Sequence, residues 1–236
     1  MHRFLVPNEL LKESSPTLPK DAANHLKVVR VKDGEEIELF DGRGAYRRYA
    51  YNASRLTPVS SVNSIVAASL KLTLFACITK GSRWDWTLEK ATEIGATRIV
   101  PVVSERTIVR VPASERAAKR ERYLRIVEDA VRQSGSYWVP EVLPPTDFNE
   151  AVKLAEATTG FVGALMETPP KPLAEAVQAT KSQDLSVFIG PEGDFTPEEL
   201  ARLLEKLTPV SLGPTVLRAE TASIYAISVI KAVAAR

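Results

Sequence analysis

From Leu70 onward, strand-length apolar runs alternate with helix-length amphipathic stretches, and this alternation restricts the possible folds more than any other feature of the chain. Residues 72–78, 99–103, 161–165, 187–189 and 210–212 read as strands. Between the first two, residues 82–94 place Trp84, Leu88 and Ala91 at helical spacing before Gly95 ends the helix. A longer helix is expected over about 114–134, with Leu124, Val127 and Val131 facing a core and Gly135 as its terminator. An apolar helix over about 220–235 closes the chain. Strands separated by helices call for a largely parallel sheet covered on both faces, hence an α/β domain.

The first 68 or so residues are patterned differently, as mostly β with one short helix. Asp21 is placed to cap a helix running through His25, Leu26 and Val29. Lys32-Asp33-Gly34 and Asp41-Gly42-Arg43-Gly44 then punctuate short runs at 37–40 and 45–51, the pattern of a small barrel. Residues 56–69 are rich in Pro, Ser and Asn and read as a connector, so the expected domains are 1–69 and 70–236.

Composition narrows the function classes. A lone cysteine, Cys77, has no intramolecular disulfide partner, and with only two histidines beside it a zinc site is not expected. The opening lacks a basic start followed by a long apolar stretch, and the longest apolar run, 65–78, is broken by Lys71, so neither secretion nor membrane spanning is expected. A cytoplasmic protein follows. The net charge of +2 conceals an asymmetry: residues 70–125 hold 12 Lys and Arg against 6 Asp and Glu, whereas residues 126–236 hold 9 against 15. Basic charge gathered in the first half suits a polyanion, because phosphate contacts from Lys and Arg release counterions.

Two strings carry the chemistry. Residues 185–200 run from a β-rich stretch into Gly190-Pro191-Glu192-Gly193, after which Thr196-Pro197-Glu198-Glu199 supplies an N-cap, a proline at the first helical position and a capping-box glutamate. A strand, a glycine loop and a helix start form the place where cofactors sit in open α/β sheets. Residues 212–222 repeat that grammar, with Arg218, Glu220 and Thr221 gathered where an apolar helix begins. No G-x-G-x-x-G, P-loop, H-E-x-x-H or G-x-S-x-G is present, which weakens classical NAD, ATP and zinc-hydrolase readings.

These strings, together with residues 80–95 (Lys80 through Gly95), Pro101-x-x-Ser104-Glu105-Arg106, Gln133-Ser134-Gly135 and the opening Met1-His2-Arg3-Phe4, resemble the ribosomal RNA small subunit methyltransferase E family, in order and along nearly the whole chain. The resemblance implies a C-terminal trefoil-knotted SPOUT methyltransferase domain, a small N-terminal PUA-like β-barrel for RNA, and a homodimer. It also implies S-adenosylmethionine as donor and N3 of a uridine in 16S ribosomal RNA, free or in the small subunit, as acceptor, with no metal. A knotted enzyme acting on another RNA position and an inactive RNA-binding assembly factor are the competing readings.

Carried over residue by residue, the resemblance assigns the donor to Leu165, Met166 and Glu167, to Gly190, Pro191, Glu192 and Gly193, and to Leu212, Gly213, Leu217, Thr221 and Ala222. Removing the N3 proton of uracil spreads negative charge over the flanking carbonyl oxygens, so a cation and a base are wanted. Arg218 is the candidate cation, and either Glu192 or Glu220 the proton acceptor. Arg3, Lys80, Arg83, Lys90 and Arg106 are the candidate RNA contacts. Two departures stand out: Asp194 where the family often has a second glycine, and Ser136 where an arginine commonly follows Gln-Ser-Gly.

Overall fold

In the computed structural model, which describes residues 1–234, the early β-rich region forms one five-stranded sheet. Its strands are β1 (His2–Leu5), β2 (Glu36–Phe40), β3 (Ala45–Asn52), β4 (Arg55–Pro58) and β5 (Asn63–Ser64), with helix α1 (Lys20–Val28) between the first two. β1 runs parallel to β2, and the other ladders are antiparallel. Phe4, Leu11, Ile37, Leu39 and Tyr49 fill its core. The cap expected of Asp21 is not made: α1 begins at Lys20 after Pro19, which places Asp21 inside the first turn, where its charge suits the helix dipole. Asp41 Oδ1 accepts from the backbone N–H groups of Arg43 and Ala45 and so closes the turn into β3. At Gly44, φ is +101°, and a Cβ would lie 2.5 Å from the Ile65 carbonyl oxygen, so no other residue fits.

The chain divides into two units, Met1–Ala68 with Val131–Val139, and Ser69–Ala130 with Pro140 onward. The return of 131–139 to the first unit has no signature in hydrophobic periodicity. It is held by backbone bonds, Gly44 N–H to Tyr137 at 3.0 Å and Val139 N–H to Gly42 at 2.9 Å.

The second unit comprises β6 (Lys71–Cys77), α2 (Ser82–Ile94), β7 (Arg98–Val103), α3 (Arg116–Ser134, whose last turn belongs to the first unit), β8 (Glu141–Val142), β9 (Thr146–Asp147), α4 (Phe148–Ala155), β10 (Thr159–Gly163), α5 (Leu173–Gln178), β11 (Asp184–Ile189), α6 (Pro197–Leu204), β12 (Thr208–Val210) and α7 (Ala219–Ala234). Ala235, the expected last residue of the closing helix, lies outside the described residues. The strands lie in the order β12-β10-β11-β6-β7-β8, with β9 also on β7, and every ladder is parallel. Phe75 and Phe188 stack at 5.1 Å between ring centres in the core on one face of this sheet, joined by Phe148 and Phe195. On the other side α7 packs against α2, α5, β6 and β11.

Two details of this sheet position the site. From β6 the chain moves outward through β7, β8 and β9, then crosses to form β10 on the far side, inserts β11 between β10 and β6, and adds β12 beyond β10. The carboxyl ends of β11, β10 and β12 are therefore neighbours although long stretches of chain separate them. In addition, β10 and β12 each end two residues before their expected limits, which puts Leu165 and Leu212 in loops.

Candidate active site

The loops leaving those three strand ends enclose a cavity of about 300 Å³, in the lower part of the range for small-molecule sites. Gly163, Ala164 and Leu165 contribute from the loop after β10; residues 189–192 and Asp194 contribute from the loop after β11; residues 210–213 and 215–219 close it from the loop after β12, with Ala222 on the first turn of α7. Ile189, Val210, Leu212 and Leu217 make much of the wall apolar, while the turns expose backbone amides and carbonyls.

Local sequence explains why the loops hold this shape. Below Gly190 sits the Phe195 ring, so close that a Cβ on Gly190 would meet it at 3.0 Å. Gly213 has φ of +127°, a conformation that favours glycine, and its N–H donates to Ser211 Oγ at 3.2 Å. Asp194 has φ of +58°, a conformation that Asp tolerates better than most residues, and its Oδ1 accepts the Phe195 N–H at 2.8 Å. The carboxylate thus stabilises the very turn for which a glycine is the usual solution. Beyond it, Thr196 and Glu199 form the expected capping box at the start of α6, with the Glu199 N–H donating to Thr196 Oγ1 and the Thr196 N–H donating to Glu199.

Of the residues expected to hold a donor, Leu165, Gly190, Pro191, Glu192, Leu212, Gly213, Leu217 and Ala222 line the cavity, whereas Met166, Glu167, Gly193 and Thr221 do not. Sequence reasoning missed Gly163, Ala164, Ser211, Thr215, Val216 and Ala219 on the loops, and took Ile189 and Val210 only as strand residues. The signal for these was continuity, since each lies within two residues of one already singled out on the same loop.

The three residues expected to act on the acceptor separate clearly. Arg218 and Glu192 both line the cavity. Among the described residues the exposed Arg218 side chain enters no ion pair. Glu220 does not line the cavity and is 8% exposed in the first turn of α7, with Oε2 buried and without a hydrogen-bond partner.

The basic residues expected to meet RNA are mostly engaged within the protein. Arg3 is the most fully engaged: its Nε is 2.9 Å from the fully buried Glu38 carboxylate, its Nη2 donates to the Ser136 carbonyl at 2.9 Å, and its guanidinium lies over the rings of Phe40 and Tyr137 at 4.5 and 4.4 Å. A buried carboxylate demands a cation, and Arg3 supplies it. The same contact gives Ser136 a structural task, as does its Oγ, which accepts the Trp138 N–H. Lys90 is held between Glu89 and Glu93 at 2.8 and 2.9 Å, and these carboxylates raise its pKa. Arg83 pairs with Glu192 at 3.3 Å. Arg106 donates to the carbonyls of Gly193 and Phe195 at 3.0 and 3.3 Å. Lys80 remains exposed at the loop between β6 and α2.

Comparison with known proteins agrees with this arrangement. The family model of an RNA methyltransferase domain matches residues 67–231, and that of an RNA methyltransferase PUA domain matches residues 18–50. The chain is 31% identical over 241 residues to a ribosomal RNA small subunit methyltransferase E from Synechocystis sp., covering 98% of this chain and 77% of the relative. It is 27% identical to the Bacillus subtilis protein of that name, over 98% of this chain and 96% of the relative. Among solved structures, ribosomal RNA small subunit methyltransferase E from Neisseria gonorrhoeae bound to S-adenosyl methionine is 32% identical, with a TM-score of 0.84 over 98% of this chain and 97% of that one.

Proposed function

This chain belongs to the ribosomal RNA small subunit methyltransferase E family, and from that premise we propose that it methylates N3 of a uridine in 16S ribosomal RNA with S-adenosylmethionine as donor. The observation that carries the reading is the convergence of three strand-end loops on one cavity with Arg218 and Glu192 in its lining. The cavity suits the donor in kind: Ile189, Val210, Leu212 and Leu217 offer apolar wall for an adenine face, and the turns at Gly190–Glu192 and Gly213 border it with main chain. When bound there, the sulfonium supplies an electrophilic methyl group.

The protein's part is placement and charge. The loop after β12 and the glycine turn after β11 would hold the donor. Arg218, free of internal ion pairs among the described residues, is positioned to stabilise the negative charge that develops on the uracil oxygens as N3 loses its proton. Glu192 is favoured over Glu220 as proton acceptor because it reaches the cavity. Lys80, exposed beside α2, is the remaining candidate for a phosphate contact. Work on ribosomal RNA belongs in the cytoplasm. The knotted path implied by the family is supported by the convergence of the 163–165, 189–194 and 210–219 loops, and the homodimer by apolar side chains left exposed around the cavity rim.

The test is incubation of the protein with labelled S-adenosylmethionine and either naked 16S RNA or small subunits, followed by nuclease digestion and mass mapping. A single N3-methyluridine is expected. A methyl group on a ribose hydroxyl or another base would move the acceptor elsewhere, and absence of donor binding by calorimetry would leave an RNA-binding assembly role.

A further inference from the structure

We infer that Arg106 is a positioning residue for the methyl donor, acting through the loop after β11 and not as a phosphate contact. The inference rests on the donor reading above. To bind a donor, that loop must present its backbone in one fixed shape. At its start, β11 and the Phe195 ring under Gly190 hold it. At its end, the Arg106 guanidinium bonds the carbonyl oxygens of Gly193 and Phe195, on either side of the left-handed Asp194. Both acceptors, separated by one residue, are taken by the same nitrogen, Nη1, which the planar guanidinium holds at the end of the Arg106 stem. The stem of Arg106 also lies against Gly193, with Cβ and Cδ each 3.6 Å from where a Cβ on that glycine would stand.

Arg106 is itself anchored from below. The turn it occupies is closed by Thr107 N–H to Ser104 at 3.2 Å, by Ser104 N–H to Thr107 Oγ1 at 3.0 Å and by the two hydroxyls at 2.9 Å, with both side chains buried. Ser104 Oγ in turn meets Cys77 Sγ at 3.5 Å, beside the end of the central strand β6. One residue earlier, Glu105 N–H donates to Glu199 Oε1 at 2.8 Å, so the capping glutamate of α6 is shared with the same turn. A chain of short contacts therefore runs from the core strand through residues 104–107 to the far end of the donor loop. The two carbonyls occupy Nη1, and the salt dependence of RNA binding reads whether Nε and Nη2 also meet phosphate.

Calorimetry of S-adenosylmethionine binding, combined with the salt dependence of RNA binding, tests this for Arg106→Ala and Arg106→Lys. Arg106→Ala is expected to weaken donor binding about tenfold, or about 1.4 kcal/mol, with Arg106→Lys recovering part of the loss. KM for the donor should rise while KM for RNA and the salt slope of RNA binding stay at wild-type values. Because the side chain is exposed, the thermal midpoint without donor should hardly move. Donor affinity within twofold of wild type in both variants, or a salt slope reduced by about one unit, would overturn the inference while leaving the proposed function intact. Failure of the wild-type protein to bind the donor would instead overturn the function and this inference with it.

Discussion

Arg218 is the residue at which catalysis and scaffolding can be told apart. Its side chain forms no ion pair among the described residues, and removing it should cost little stability. If it stabilises charge on the uracil oxygens, Arg218→Ala should slow single-turnover methylation by about two to three orders of magnitude, or ~3–4 kcal/mol, with donor affinity nearly unchanged. Arg218→Lys should recover only part of this, because lysine lacks the planar fork. Near wild-type rates in both variants would remove the residue from the mechanism. Cys77 shows the opposite situation, a reactive group silenced by the fold. Burial pushes its thiol up to about 12 from an ordinary 9.0, against the smaller opposing effect of hydrogen bonding to Ser104. Below pH 9 both folded and unfolded chains keep the proton, and the thiol contributes no pH dependence. As pH rises from 9 toward 12 the unfolded chain loses it first, so stability must fall, by at most about 1.4 kcal/mol per pH unit. Burial also raises the pKa of Tyr49, Tyr123 and Tyr137, adding to the same trend. The Cys77 part is the difference between wild type and Cys77→Ala in urea titrations across that range, and parallel curves would contradict it.

At the scale of elements, the part of the chain that followed local rules was legible. The spacing of Trp84, Leu88 and Ala91 with Gly95 behind them locates α2 over Ser82–Ile94, and Gly95 does adopt the left-handed cap with φ of +103°. Thr196-Pro197-Glu198-Glu199 forms the capping box that its order predicts. Thr196→Ala should accordingly destabilise the protein by about 1 kcal/mol, read as a lower urea midpoint with unchanged m-value. A larger loss, together with weaker donor binding, would mean that the cap also holds the Glu105–Glu199 contact and through it the Arg106 turn. What local rules did not reveal depends on which surfaces meet. Arg3, Arg83 and Arg106 look alike as basic residues in a sequence, but they find a buried carboxylate, a loop carboxylate and two carbonyls. Each partner is distant in sequence, by 35 residues for Arg3 and Glu38 and by 87 for Arg106 and Gly193. The site strings were found because glycines and a cap mark them. The residues between them, such as Ser211 and Thr215, became part of the cavity only when three strand ends were brought side by side.

Assembly depends on which apolar groups the folded chain leaves uncovered. The closing helix α7 is strongly apolar, yet Ala226, Ile227 and Ile230 are buried within the chain against α2, α5 and the sheet, so its composition alone does not call for a partner. The exposed remainder is more informative. Tyr225 is 45% exposed on α7, and at the cavity rim Leu165 and Val216 are 61% and 75% exposed, with Met166 beside them. Large apolar groups gathered around a ligand site lose hydration favourably when another surface covers them, and a second copy would also shield the donor from water. A stable dimer needs roughly 800 Å² buried per partner. Sedimentation at micromolar concentration with donor present should therefore show a dimer. Tyr225→Glu, which places a charge in that face without touching the cavity lining, should shift the protein toward monomer by at least tenfold in dissociation constant, about 1.4 kcal/mol. If the rim is completed by the partner, donor affinity should fall together with dimer content as the protein is diluted. A monomeric wild-type protein that binds donor with full affinity would show that this apolar rim serves the acceptor RNA and not a second copy.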